Sequence, residues 1–201
     1  MIRKTVLALM LAAAGVNAHA ALSAGDIAFT SFNADEDGLS FVTFKNIDAN
    51  TTIFFSDNEW GGSAFNTGES YNQWNSGSSQ IDAGSVIRFS AYDKTTLSAS
   101  TGTLSRVTVA SNTNWGISTT ADTIYAYLGS SATAPTTFLS AISNATDGSL
   151  VGTGLTEGTN AIRLNSIATG ATPDYAEYNG ARSGAASFDA YKAQVNNVAN
   201  W

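Results

Sequence analysis

Apolar positions in this chain come in short runs broken by polar turns, and from residue 26 onward most of the runs have the spacing of strands. Asp26–Phe32 sets Ile27, Phe29 and Ser31 at alternate positions, the period-two pattern of a half-buried strand. Leu39–Phe44 follows after the polar loop Asn33–Gly38, so the two runs predict a hairpin. Further strands are expected at 52–56, 86–91, 104–109, 123–128, 137–142, 161–164 and 174–178. Strands this short, joined by turns, predict an all-β fold, an antiparallel β-sandwich. One segment has another period. Phe188, Tyr191 and Val195 fall at i, i+3 and i+7, with Ser187 placed to cap and Asp189 in the first turn, which predicts one short C-terminal helix. Trp201, the last residue, is expected to dock against the body.

A local pattern recurs at the entry to strands. Ile47-Asp48-Ala49-Asn50-Thr51-Thr52-Ile53 is echoed by Ile81-Asp82-Ala83-Gly84-Ser85-Val86-Ile87 and, more loosely, by residues 155–162. Asn50 and Gly84 occupy the corner, and both types tolerate the left-handed conformation that such a turn requires. Irregular spacing makes this a reused turn and not a repeat architecture.

The N-terminus changes the picture of compartment and charge. Arg3 and Lys4 precede an apolar run from Thr5 to Val16, and Ala18 and Ala20 hold the two small positions of a cleavage site. Residues 1–20 therefore predict a secretory signal peptide, with 21–201 as a single domain. The apolar run is shorter than the ~20 residues a spanning helix needs, and no later segment is long enough either. The chain carries 9 basic and 16 acidic side chains, and Arg3 and Lys4 leave with the signal, taking the net charge from −7 to about −9. Nucleic acid is excluded as a partner, because neutralising phosphates takes a basic face. Cysteine is absent, although an exported protein could form disulfides.

Four segments add a resemblance. Ala24–Thr30, Ile47–Trp60, Ala64–Glu69 and Asp122–Tyr127, together with Tyr178-Asn179-Gly180 and the terminal Asn200-Trp201, resemble a lamin-tail-like, immunoglobulin-type β-sandwich module of secreted bacterial surface proteins. The resemblance covers most of residues 21–201. It implies a structural or binding role, and no catalytic residues come with it.

Candidate chemistry is narrowed by what is missing. The one histidine, His19, lies in the signal peptide, so a catalytic triad, a Cys-His pair and a His or Cys zinc site are closed to the mature protein. Acids and aromatics remain. Asn33, Asp35 and Asp37 before Gly38 match the opening of a calcium loop, with oxygen ligands on alternate residues. Phe44 stands where an EF-hand closes with Glu, so Asp57 and Glu59 are the expected completing ligands, and calcium is the one cofactor suggested. Trp60, Tyr71, Trp74 and Trp115 could stack on sugar rings as a carbohydrate-binding face, but Trp is buried on average, so the core is their expected place. Glu59 and Glu69 are the carboxylates that a glycosidase would need. Together these readings lead to a secreted, non-catalytic matrix or cell-surface protein acting by adhesion or self-assembly. Carbohydrate binding is the first alternative and glycoside hydrolysis the second. The run Asp26–Phe32 is the expected edge for pairing with another copy.

Overall fold

The computed structural model describes residues 21–109, 113–166 and 172–201; the predicted signal peptide lies outside them. The strands are β1 (Ile27–Asn33), β2 (Gly38–Thr43), β3 (Thr52–Ser56), β4 (Tyr71–Asn75), β5 (Val86–Ser90), β6 (Ser98–Ala99), β7 (Thr103–Arg106), β8 (Thr123–Ser131), β9 (Ala134–Ser143), β10 (Ala161–Arg163) and β11 (Tyr175–Glu177). Helix α1 (Phe188–Val195) follows. Strand order is β11-β1-β2-β5-β6 in a five-stranded sheet and β10-β9-β8-β3-β4-β7 in a six-stranded one. The protein is an all-β sandwich with a short C-terminal helix. Among the described strands it departs from a purely antiparallel fold where β10 runs parallel to β9.

The core lies between the sheets. Ile27, Phe29, Phe32, Leu39 and Phe41 face Ile53, Phe55, Trp74, Ile124 and Leu139 in one buried cluster. Phe29 and Phe32 are three residues apart, which strict alternation cannot accommodate on one face. A β-bulge resolves this: Phe29 pairs with Phe41 and Ser31 with Ser40, leaving Thr30 as the extra residue. Beyond the bulge the inward series passes to Phe32, and Thr30 and Ser31 both reach the outer face, where each hydroxyl lies 2.7 Å from Ser40 Oγ.

The expected edge at Asp26–Phe32 is not an edge. β1 is paired with β2 on one side, and on the other β11 covers Ser31–Asn33 while Ala28 packs with Tyr178 and Val195. The true outer strands β11, β6, β10 and β7 have three, two, three and four residues, too short to template another chain. The recurring turns behave as read: Asn50 and Gly84 have φ of 60° and 90°, and Ile47 and Ile81 exchange two backbone hydrogen bonds of 2.8 Å. No helix among the described residues is long and apolar enough to cross a membrane.

Candidate functional site

Residues 187–201 close over one side of the five-stranded sheet. Ser187 Oγ accepts the Ala190 N–H at 3.2 Å and starts α1, and Val195 is buried against Ala28 and Tyr178. Trp201 docks as expected, its Nε1 donating to the Val195 carbonyl at 2.8 Å. The far end of the helix stripe is not covered. Phe188 stays 43% exposed, and its ring lies over Gly84.

Between α1 and the sheet runs an open groove of about 490 Å3. Strand register arranges its floor in two rows. Glu177, Ser31 with Thr30, Ser40 and Arg88 cross β11, β1, β2 and β5 as a polar row. Val42 and Val86 form the apolar row beside it, with Val86 left 55% exposed; Ala28, next in register, is covered by Tyr178 and Val195. Phe188, Tyr191 and Tyr178 make the aromatic wall. Tyr178 Oη donates to the Ala181 carbonyl at 2.9 Å, and Arg182 Nη2 donates to the Tyr178 carbonyl at 2.9 Å, which holds Arg182 at the rim. Lys45, Lys94, Arg163 and Lys192 each pair with an acid. Arg88 and Arg182 do not, and both line the groove. Chemically, this is a surface for rings, hydroxyls and a negative charge.

The aromatics nominated by sequence are elsewhere and do not share an open face. Trp74 is fully buried between the sheets, edge-on to Phe41 at 5.5 Å, with Nε1 donating to the Thr101 carbonyl at 2.7 Å. Trp60 and Tyr71 belong to a second cluster on the outer face of the six-stranded sheet and are 7% and 3% exposed. There the Trp60 ring meets Phe65 and Phe138 at 5.1 and 5.0 Å. Trp115 is half-buried, and the Arg106 guanidinium occupies its face at 4.6 Å. Trp60, Tyr71 and Trp74 offer no free ring to a sugar, and Arg106 takes one face of Trp115.

The nominated calcium ligands are likewise not gathered. Asn33 Oδ1 accepts the Glu36 N–H at 3.0 Å, Asp37 Oδ1 accepts the Ile117 N–H at 2.6 Å, and Asp35 points to solvent. Turn and loop hydrogen bonds thus direct one oxygen each of Asn33 and Asp37 to backbone N–H groups. Glu59 accepts from Asn66 Nδ2. Among the described residues, no three of His, Cys, Asp and Glu converge to hold a metal.

Asp57 is instead part of a buried acidic end to the sandwich. It continues the inward series Ile53, Phe55 at the end of β3, and Asp122 precedes Ile124 on the neighbouring β8. Asp57 Oδ1 accepts from Ser70 N and Oγ at 2.6 and 2.9 Å, and Asp122 Oδ2 accepts from Ser118 N at 2.7 Å. The second oxygen of each finds no hydrogen-bond partner among the described residues. Burial raises both carboxyl groups well above the usual range; Glu69 adds repulsion at Asp57, and Asp57 adds it at Asp122. Glu69 is half-buried and is pushed up to about 7, first by burial, then by Glu59 and Asp147. At 0% and 2% exposure, Asp57 and Asp122 favour the protonated form and cannot touch a polymeric substrate.

No family model, curated protein or solved structure matches this chain. The site therefore rests on its own geometry. The groove was half-legible in sequence. The stripe Phe188, Tyr191, Val195 was visible as a short amphipathic helix, with nothing to show that one end of it would stay uncovered. That a row of small hydroxyls would leave it open depends on register across four strands.

Proposed function

We propose that the protein is an exported, non-catalytic surface module that adheres to a glycan through the groove beside α1. One observation carries this reading: Phe188 and Val86, two of the most exposed large apolar residues described, lie on the same concavity beside a row of hydroxyls. Exposed apolar surface that is concave and rimmed by polar groups is the usual form of a binding site. The signal-like N-terminus and the resemblance to a lamin-tail-like surface module support the same reading. Adhesion by strand addition loses support, since β1 is enclosed.

Glu69 beside Glu59 favours a second reading, acid catalysis on a glycosidic bond, because a carboxyl titrating near 7 suits a general acid. Neither side chain lines the groove, so binding remains the conclusion. Immobilised oligosaccharides, neutral and charged, test both readings. The expected result is retention that Phe188→Ala or Tyr191→Ala abolishes without moving the melting temperature, and no new reducing ends on prolonged incubation. Retention on no sugar, or release of reducing ends that Glu69→Gln stops, would overturn it.

A further inference from the structure

The groove's charge and backbone together narrow its ligand; this step rests on the groove being the binding site. The protein is acidic, yet of the three guanidiniums without a carboxylate partner among the described residues two, Arg88 and Arg182, open on this one concavity; the third, Arg106, is held by the Tyr92 and Lys94 carbonyls and the Trp115 ring. Glu177 closes the opposite end of the polar row. The floor is mainly the face of a sheet: the groove segments of β1 and β2 are engaged by neighbouring strands, and Arg88 on β5 pairs with Ser40 of β2 on one side and bonds Ser100 on the other. A polypeptide laid in the groove would find no row of free N–H and C=O groups, which is what peptide-binding sheets offer. Recognition must come from side chains: rings for a sugar face, hydroxyls for sugar hydroxyls, and planar forks for carboxylates.

We propose that the groove binds an acidic polysaccharide, a chain of uronic-acid residues, with Arg88 and Arg182 each taking a sugar carboxylate and Phe188 and Tyr191 stacking on ring faces. The carboxylates supply affinity against a protein that otherwise repels anions, so binding weakens as salt screens the pairs.

Calorimetric titration of the full mature chain with a defined oligouronate, a neutral oligosaccharide of equal length, and an oligoglutamate of equal charge tests this. The oligouronate is expected to bind at least tenfold more tightly than the neutral chain. Arg88→Ala and Arg182→Ala should each weaken it about three- to tenfold, and the double variant should fall to the neutral level. Raising salt from 50 to 500 mM should do much the same. Arg182 also donates to the Tyr178 carbonyl, so Arg182→Lys and thermal melting are included; a variant that melts with the wild type and still loses binding supports the assignment. Equal affinity for neutral and acidic chains, lost only on Phe188→Ala, would overturn the acidic specificity and leave glycan adhesion standing. Oligoglutamate binding as tightly as oligouronate would overturn the sugar assignment. Binding of none of the three would overturn the groove as a site altogether.

Discussion

Trp74 separates a ring that builds the core from a ring that holds a ligand. It lies on β4 with no exposed surface, packs edge-on against Phe41 and hydrogen-bonds the Thr101 carbonyl. Truncation to Ala would remove a fully buried indole, a change that costs about 3–5 kcal/mol, against a total stability on the order of 5–15. Trp74→Phe is the cleaner perturbation. It keeps most of the apolar area, gives up one hydrogen bond of about 1 kcal/mol and leaves a small void, for a loss of about 1–2.5 kcal/mol. For a domain of this size that corresponds to a fall of roughly 3–8 °C in melting temperature. Thermal melting by circular dichroism reads the loss, and glycan titration of the same sample should stay within about twofold of wild type, because Trp74 is not among the groove residues. An unchanged melting temperature with abolished glycan binding would mean that Trp74 is a ligand platform and that the packing described here is wrong.

The buried acids, the helix cap and the bulge give the remaining predictions. Asp122→Asn keeps an acceptor for Ser118 N and removes a carboxyl that is ionised in the unfolded chain and must take up a proton to be buried, so it should stabilise the protein by about 1–3 kcal/mol at pH 8 and much less at pH 4, measured by urea denaturation. Glu69 binds its proton more tightly folded than unfolded, so its contribution to stability is present below about pH 4.5 and is lost as pH rises to about 7. Glu69→Gln should therefore flatten that part of the pH–stability curve; an unchanged slope would show that Glu69 is solvated like a free side chain. Ser187→Ala removes the cap of α1 and should cost about 1 kcal/mol, with weaker glycan binding because the aromatic wall frays. Deleting Thr30 restores strict alternation through Ile27, Phe29 and Phe32, so the chain should still fold, with the core intact and one hydroxyl gone from the groove floor. Failure of this deletion to fold would show that the bulge is needed for more than aiming side chains.

Strands whose apolar residues alternate were readable from sequence, because burial on one face of a sheet writes a period of two directly into the chain. β5 follows that rule, β2 nearly so and β1 up to its bulge, while β3 and β8 were found as short apolar runs because both their faces are buried. β4 fits neither case. Its core-facing positions are Asn72 and Trp74, and a buried asparagine breaks the pattern. Tyr71 and Trp74 then looked like site residues when they are the two faces of one strand. The acidic end of the sandwich was invisible for another reason: Asp57 and Asp122 are distant in sequence and meet only because β3 pairs with β8. The local run Asn33–Gly38 had the composition of a calcium loop, but composition does not say where each carboxylate oxygen finds its donor. The groove needed both kinds of information, a helix stripe from the sequence and a register of small residues from the sheet.

Chemical-shift mapping with the oligouronate tests the location of binding most directly, since the four tryptophan indoles report on different parts of the fold. The account predicts that amides of β1, β2, β5, β11 and α1 move on the groove side, that the Trp201 indole behind α1 shifts with them, and that the Trp60 and Trp74 indoles stay still. Shifts centred on Trp60, Tyr71 and Trp115, with the groove unmoved, would contradict it.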